Sequence, residues 1–197
     1  MKRHDLLKKR HAGLLLPLFS MRSLRDWGTG DFTSMRGWLD IVSMAGMDVL
    51  QVLPINEMPP GTNCPYTALS AFALDPVYID PQALPELKDS PEAQEFMASR
   101  AFKLRLKELR DARSIDYDKA RALKHEVLWL IYKSFSGGRA AGSAPRRKAF
   151  SAFCRANAYW LDDHALFRRI KDLRGWESWT RWPRALGARD ARAIAAL

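Results

Sequence analysis

The sequence is poor in the residues that build metal sites and disulfide frameworks. It has two cysteines, Cys64 and Cys154, and four histidines among 197 residues. Neither cysteine has a second Cys or a His at the spacing of a zinc site. The cysteines are therefore interpreted as buried or incidental thiols. No metal site and no cofactor are predicted.

Long apolar runs are also missing. No apolar run reaches the roughly 18 residues that a membrane-spanning helix needs, so no membrane partner is predicted. The basic start, residues 1–11, resembles the first region of a secretion signal. The apolar run that follows, residues 12–19, is short, is interrupted by Pro17 and is not followed by a convincing small-residue cleavage site. The chain is therefore expected to be cytoplasmic.

Acidic residues are scarce in one half of the chain only. The whole sequence has a net charge of +10, but residues 1–99 hold nine Lys and Arg against twelve Asp and Glu. Residues 100–197 hold twenty-three against ten, so the basic excess lies there. It falls on segments typical of solvated helix faces, and no zinc-finger or RNA-binding signature accompanies it. Nucleic-acid binding is therefore a minor alternative, and no nucleic-acid partner is predicted.

The first quarter of the chain has a strand–helix–strand pattern. Continuous apolar runs predict strands buried on both faces at residues 12–19 and 47–55. Between them, residues 32–46 have apolar side chains near helical spacing, with Asp31 as N-cap and Gly46 at the C′ position. The predicted apolar positions of this helix are Met35, Trp38, Leu39, Val42 and Met44 or Ala45. The pattern predicts an α/β class with a parallel strand pair.

Beyond residue 90 the composition is typical of helices. Residues 91–113, 116–138 and 144–175 are all predicted to be helical, and residues 136–145 are predicted to form a flexible exit from the middle segment. The predicted buried face of the middle helix consists of Leu123, Val127, Leu130, Ile131 and Phe135, widened by Trp129 and Tyr132. Three tryptophans near the end of the chain have the three-residue spacing of a stripe on a helix, for which packing is favoured over a sugar-binding platform: Trp176, Trp179 and Trp182. Two parallel strands do not make a stable sheet alone, so the chain is interpreted as the first part of a larger fold.

Two long loops follow the predicted strands, where α/β folds place their functional residues. The first loop, residues 20–31, is interpreted as mostly structural: Gly28 and Gly30 allow backbone conformations closed to other residues, and Asp31 caps the helix. The second contains the stretch TNCPYTALSAFALDP, residues 62–76. It carries a Cys-Pro-Tyr turn and then small and apolar residues that are expected to be buried. Either a structural corner or a binding surface is consistent with this stretch.

Several stretches in this order resemble the 4-alpha-glucanotransferases, also called amylomaltases or disproportionating enzymes (glycoside hydrolase family 77). The resemblance extends from about Lys9 to Leu186, and it is carried by residues 11–23, 27–32, 45–84 and 157–186. It implies a (β/α)8 TIM barrel with helical insertions. Residues 1–90 would then be the start of the barrel with its substrate-side loops, and residues 91–197 a largely α-helical insertion. The barrel would be incomplete in this chain.

The resemblance also implies a reaction. Members of this family transfer α-1,4-glucan segments between maltooligosaccharides with retention, by a double displacement that uses two carboxyl groups. Those carboxyl groups are expected beyond Leu197, so no catalytic residue is assigned and the 197-residue chain alone is expected to be inactive. Asp162 and Asp163 are not assigned in their place, because adjacent residues of a helix point about 100° apart.

The family's Ser-Pro-Tyr sequence maps onto Cys64-Pro65-Tyr66. Tyr66 is implied to pack against the sugar next to the scissile bond, since an aromatic ring suits the flat C–H face of a pyranose. Cys64 departs from the family's serine, and a thiol is a weaker hydrogen-bond partner than a hydroxyl. Thr67, where many relatives carry Gln, is a second departure. The predicted substrate-binding residues are Asn63, Cys64, Tyr66 and Thr67, and the predicted structural residues near the site are Gly28, Gly30, Asp31, Pro54 and Pro65.

Three polar residues lie in or just after the second predicted strand. Gln51 is predicted to make a hydrogen bond in a barrel interior, while Asn56 and Glu57 either reach sugar hydroxyls or form a turn. Two alternatives to the enzyme also remain: a short protein that binds glucan without converting it, and a basic helical protein associated with nucleic acid.

Overall fold

The structure is a computed structural model that describes residues 9–137 and 143–197. The first eight residues of the basic start, and the central part of the predicted flexible exit, residues 138–142, lie outside the described residues. The chain divides into two compact units, Met1–Ala144 and Pro145–Leu197. The predicted boundary between barrel and insertion, after residue 90, falls inside the first unit, and that assignment stays a prediction.

The first unit begins with the predicted strand–helix–strand pattern. Strand β1 (Gly13–Leu15) pairs in parallel with β2 (Val49–Gln51), and helix α1 (Phe32–Met44) connects them. Gly13 lies opposite Val49 and Leu15 opposite Gln51. The order of the elements and the parallel pairing are therefore confirmed.

Both strands are shorter and more exposed than predicted. Pro17 has no N–H for a strand ladder, and residues Leu18–Ser20 turn into a 3-10 helix directly after it. The expected burial on both faces is wrong: Leu15 is 53% exposed, and the side chain of Gln51 is exposed rather than bonded in an interior. The buried core cluster contains no residue of either strand, and Leu50 of β2 only packs against its edge, partly buried.

Helix α1 begins and ends as predicted. The Asp31 carboxylate accepts a hydrogen bond from the Ser34 backbone N–H at 2.7 Å, and Gly46 follows the helix with a φ of +72°. The apolar stripe is narrower than predicted, because Val42 is buried while Leu39 and Met44 are 45% and 87% exposed.

Three further helices complete the first unit: α2 (Pro91–Ala98), α3 (Arg100–Asp111) and α4 (Tyr117–Ser136). The predicted continuous helix over residues 91–113 is interrupted at Ser99, whose extended backbone ends α2 and whose hydroxyl accepts from the Phe102 N–H to cap α3. Three further 3-10 helices lie between β2 and α2, each with proline at its start: Pro76–Tyr78, Pro81–Ala83 and Pro85–Asp89.

The core lies between the first loop and these helices. Trp27 of the loop is fully buried and meets the ring of Phe102 edge-on, with centroids 5.0 Å apart. The other buried members of this cluster are Leu18, Met21, Val77, Tyr78, Ala93, Leu109, Ala120, Leu123, Val127 and Ile131. A loop predicted to be structural thus supplies the centre of the hydrophobic core.

Helix α4 contributes the predicted stripe to this core, but not the predicted aromatic extension. Leu123, Val127 and Ile131 are buried. Trp129 and Tyr132 are 52% and 46% exposed, and their rings stack on each other at 5.7 Å. Their expected burial is wrong because each lies about 100° or more around the helix from the nearest of the three buried residues.

The second unit consists of α5 (Ser143–Leu173), α6 (Arg184–Gly187), α7 (Ala191–Ala195) and a 3-10 helix at Trp179–Arg181. The predicted tryptophan stripe is wrong: Gly175 and Trp176 both have positive φ, so the three tryptophans do not share a helix. Trp182 packs on Phe167 at 5.5 Å, while Trp179 is 64% exposed. Over the described ranges, no helix is both long and apolar enough to span a membrane.

Candidate functional site

The candidate site lies on the loop that follows β2, residues 55–75, called here the tyrosine loop. Its two ends run antiparallel and close the loop at its base. The Asp75 N–H donates to the Ile55 carbonyl at 3.0 Å, and the Glu57 N–H donates to the Ala73 carbonyl at 3.0 Å. The Asn56 side chain donates to the same Ala73 carbonyl at 3.4 Å. Asn56 thus takes part in the base of the loop, the second of its two predicted roles.

The tip of the tyrosine loop is a tight turn that carries the predicted binding residues. The Thr67 N–H donates to the Cys64 carbonyl at 3.0 Å, which places Pro65 and Tyr66 at the corner. Tyr66 is 70% exposed, and Asn63, Cys64 and Thr67 are exposed as well. The four predicted residues are therefore brought together on one exposed turn.

The stretch after this turn was expected to be buried, and this is only partly so. Ala73 is 8% exposed, but Phe72 and Leu74 are 55% and 51% exposed. The Ser70 hydroxyl accepts from the backbone N–H groups of Phe72 and Ala73 at 3.1 and 3.2 Å. This local hydrogen bonding supports the loop without burying its apolar side chains.

Cys64 is an exposed thiol with altered electrostatics. Its pKa lies below the usual value because the Thr67 side chain, and then the Tyr66 backbone N–H, hydrogen-bond to its sulfur. These bonds favour the thiolate form. The two departures from the family's sequence, Cys64 and Thr67, therefore interact with each other. Neither cysteine is buried: Cys64 is exposed and Cys154 is of intermediate exposure.

A buried carboxylate that sequence reasoning missed holds the base of the loop. Asp75 is 1% exposed. One of its oxygens accepts from the Val77 N–H at 2.9 Å, and the other accepts from the Met58 N–H at 3.2 Å and from Arg121 Nη2 at 2.9 Å. The sequence does contain a signal for the first contact, because Asp before Pro commonly caps a short helix. The contact with Arg121, 46 residues away, leaves no local signal.

A polar cleft of about 320 Å³ adjoins the tip. One wall is formed by Gly61, Thr62 and Asn63, and the other by the start of α4 and the residues before it, 114–118. Its carboxylates, amide and hydroxyls accept and donate hydrogen bonds. This chemistry suits a ligand with many hydroxyl groups.

Lys124, also on α4, was not singled out in the sequence. It is 1% exposed, and its ammonium donates to the Val77 carbonyl at 2.5 Å. Burial lowers its pKa to about 8, although nearby carboxylates, Asp31 foremost, favour the charged form. Lys124 therefore fixes the segment that leaves the tyrosine loop.

Of the residues predicted to be structural, only Pro65 belongs to this turn. Gly28 has a φ of +86°, and a side chain there would approach Leu109 of α3. Gly30 does not have a positive φ; it is required because a Cβ would overlap the Leu18 carbonyl oxygen. Its predicted conformational reason is thus wrong, and close backbone approach replaces it. Pro54 is exposed just after β2, and Pro65 is half-buried within the turn.

Asp162 and Asp163, which were not assigned a catalytic role, lie on α5 (Ser143–Leu173). Asp163 is exposed and pairs with Arg189 at 2.5 Å, in keeping with a surface role. Trp176 lies against the guanidinium of Arg168, 4.7 Å from the ring centroid. Across the described part of the chain, no group of three His, Cys, Asp or Glu side chains is arranged to hold a metal ion.

Comparison with solved structures shows the fold to be that of part of an amylomaltase. The amylomaltase of Corynebacterium glutamicum superposes with a TM-score of 0.72 at 24% identity, covering 85% of this chain and 23% of that one. The amylomaltase of Streptococcus agalactiae, solved in complex with acarbose, also gives a TM-score of 0.72, at 23% identity, covering 95% of this chain and 35% of that one.

Sequence comparison agrees with the structural one. The 4-alpha-glucanotransferase of Mycobacterium bovis is 31% identical over 202 residues, covering 97% of this chain and 27% of that protein. The 4-alpha-glucanotransferase of Synechocystis is 30% identical over 192 residues, covering 96% of this chain and 35% of that protein. The chain thus spans about a quarter to a third of these relatives. The family model described as 4-alpha-glucanotransferase, glycoside hydrolase family 77, matches residues 16–197, and the chain belongs to this family.

Proposed function

We propose that this chain serves the transfer of α-1,4-glucan segments between maltooligosaccharides, and that the tip of its tyrosine loop binds the glucan. Family membership supports the reaction. The observation that supports the site is the exposure of Tyr66, 70%, at the corner of a turn whose base is closed by backbone hydrogen bonds. A ring held out on a fixed turn is suited to stack on the C–H face of a pyranose.

In this proposal Asn63, Cys64 and Thr67 surround the sugar that Tyr66 contacts. The Asn63 amide both donates and accepts hydrogen bonds, and it lies on the wall of the polar cleft. The Thr67 side chain lowers the pKa of the Cys64 thiol by hydrogen bonding to it. Their capacity for sugar contacts is therefore smaller than that of two free hydroxyl or amide groups.

The proposal places the chain in a (β/α)8 barrel. Residues 1–90 form its start and residues 91–197 belong to a helical insertion. The parallel pair β1–β2 with α1 between them is the repeating unit of such a barrel. The two steps of the retaining reaction need one carboxylate as nucleophile and one carboxyl group as acid and then base. We assign neither to residues 1–197, and the chain alone is expected to leave maltotriose unchanged.

Maltooligosaccharides are the proposed partners, and the proposed location is the cytoplasm. The family match does not favour the two alternatives, a non-catalytic glucan-binding protein or a basic helical protein associated with nucleic acid.

Calorimetric titration of the 197-residue chain with maltoheptaose tests the site. Replacing Tyr66 by Ala removes the stacking ring, and we expect the dissociation constant to rise about fivefold, since an aromatic contact contributes on the order of 1 kcal/mol. Tyr66→Phe keeps the ring and should lose only part of the affinity.

Tyr159→Ala is the matched control, because Tyr159 is 71% exposed and belongs to the second unit. It should bind maltoheptaose as the unaltered chain does. Equal affinity of the Tyr66→Ala and Tyr159→Ala variants would refute the role assigned to Tyr66.

A further inference from the structure

One face of α4 carries three charged residues at intervals of three: Asp118, Arg121 and Lys124. Residues three apart on a helix are neighbours on its surface. All three point toward the same segment of the chain, the tyrosine loop and the 3-10 helix that follows it, and each contacts it at a different place.

The contacts are spread along the loop. Asp118 accepts from the Gly61 N–H at 3.2 Å, near the tip. Arg121 donates to Asp75 at 2.9 Å, at the base, and also to Asp118 at 3.2 Å. Lys124 donates to the Val77 carbonyl at 2.5 Å, just beyond the base. Arg121 thus bonds both to the carboxylate that holds the base and to the carboxylate that holds the tip.

The three contacts differ in strength. The Asp75 side chain is fully buried and that of Arg121 is 17% exposed, so their charge-assisted bond is shielded from water. Asp118 is 57% exposed, so its bonds to Gly61 and Arg121 are weakened by solvent. One oxygen of Asp75 accepts from both Arg121 and the Met58 N–H. Because Asp75 and Met58 lie on opposite sides of the loop base, these bonds join the two sides.

We propose that Arg121 is a positioning residue for glucan binding: it holds the tyrosine loop to α4 through Asp75 and Asp118, and thereby sets the place of Tyr66. The proposal rests on the proposed function, because it supposes that Tyr66 contacts the glucan. Arg121 itself touches no sugar in this arrangement. Its effect on binding passes through the loop alone.

Amide hydrogen exchange tests the holding of the loop without any ligand. In Arg121→Met, we expect the amides of Met58 and Gly61 to exchange about tenfold faster or more, because their acceptors lose the charge that orients them. The amides of α1 and of the buried part of α4 should keep their rates.

Arg105→Met is the matched control. Arg105 makes a two-bond ion pair with Glu126 of α4, at 2.7 Å for each bond, and does not touch the loop. Loop exchange that is the same in Arg121→Met and Arg105→Met would overturn the proposal.

A milder variant tests the same proposal in case Arg121→Met does not fold. Asp118→Ala removes an exposed side chain and with it the bond to Gly61. Gly61 and its neighbours at the tip should exchange several-fold faster, while the Val77 amide, which is held by Asp75, keeps its rate. An unchanged rate at Gly61 would show that α4 does not hold the tip.

Maltoheptaose titration then separates positioning from general stability. Arg121→Met should weaken binding about as much as Tyr66→Ala, and Arg105→Met should not. The double variant Arg121→Met/Tyr66→Ala should bind no more weakly than Tyr66→Ala alone, since the two residues act as one. Additive losses would contradict the proposal.

These experiments separate a failure of the proposed function from a failure of the role proposed for Arg121. Absence of maltoheptaose binding by the unaltered chain would count against the proposed function, whereas the exchange rates would still decide whether Arg121 holds the loop.

Discussion

The two long loops of the first unit follow neighbouring parallel strands, yet the first supplies buried core residues and the second has an exposed tip. The first, residues 20–31, contributes Met21 and Trp27 to the hydrophobic core, and both are completely buried. The tyrosine loop keeps only its base buried, and Tyr66 at its tip is 70% exposed. Position after a strand therefore does not decide whether a loop becomes core or surface.

The two loops also differ in what an almost completely buried carboxylate bonds to. In the first loop Asp26 is fully buried and accepts from the N–H groups of Ser23 and Gly28, at 2.6 and 2.9 Å. It satisfies backbone N–H groups inside the loop, so residues 26–30 can be buried, while Leu24 stays 97% exposed. In the tyrosine loop Asp75 satisfies Met58 and Val77 at the base. The tip is left free to face a ligand.

The largest effect of a single change is expected in the first loop. In Gly30→Ala the new methyl group would overlap the Leu18 carbonyl oxygen and lie 2.8 Å from that of Met21. Backbone atoms cannot move aside as a side chain can, so we expect a loss of about 3 to 5 kcal/mol in the free energy of unfolding, measured by urea denaturation.

Gly37→Ala serves as its control. Gly37 lies within α1, and nothing lies within 4 Å of a Cβ placed there. This change should stabilise the protein by up to about 1 kcal/mol, because alanine favours a helix over glycine. Equal effects of the two substitutions would mean that the first loop is not packed as described.

An intermediate effect is expected at Lys124, which bonds to the segment after the tyrosine loop and is influenced by carboxylates of both loops. Its pKa is lowered to about 8 by burial, while Asp31, Asp80, Asp26 and Asp75 favour its charge. Between pH 8 and the ordinary lysine pKa of 10.5, the unfolded chain holds more protons than the folded one. The free energy of unfolding should therefore rise with pH in this window, by at most about 3 kcal/mol.

Denaturation curves recorded from pH 7 to pH 10, for the unaltered chain and for Lys124→Met, check this expectation. The variant should lack the rise, because methionine has no proton to lose. Above pH 10 a second effect lowers the free energy of unfolding. Burial raises the pKa of Tyr117 to about 12 and also raises that of Tyr78, so ionisation of either tyrosine favours unfolding. The same dependence of the free energy of unfolding on pH in the two proteins would disprove the role of Lys124.

The smallest effect on stability is expected at the tip of the tyrosine loop. Because Tyr66 is exposed, Tyr66→Ala should change the free energy of unfolding by less than about 0.5 kcal/mol. The same denaturation measurement applies. A loss above about 1.5 kcal/mol would mean that Tyr66 is a packing residue and not a surface presented to glucan.

The local parts of the fold were predictable. Asp31 and Gly46 mark the ends of α1 because capping depends on residues next to one another in the chain. The order strand, helix, strand followed from apolar runs. The break at Ser99 was missed because serine is tolerated within helices and only its cap on α3 distinguishes it here.

The candidate site was predictable only at its tip. The Cys64–Thr67 turn is local, and its residues could be named from the resemblance to the family. The burial of Trp129 and Tyr132 was predicted wrongly, because an aromatic side chain near an apolar stripe is equally consistent with the core and with the surface. Asp75, Arg121 and Lys124 were missed for a related reason: their roles depend on contacts 46 and 47 residues apart.

By itself the sequence determined the order of the first elements, their caps, the turn around Tyr66 and the family. These depend on neighbouring residues or on several motifs in a fixed order. Only the tertiary structure decided that the first loop becomes the core and that α4 holds the second through Arg121. Burial and long-range charge pairing depend on which surfaces meet, and no local pattern records that.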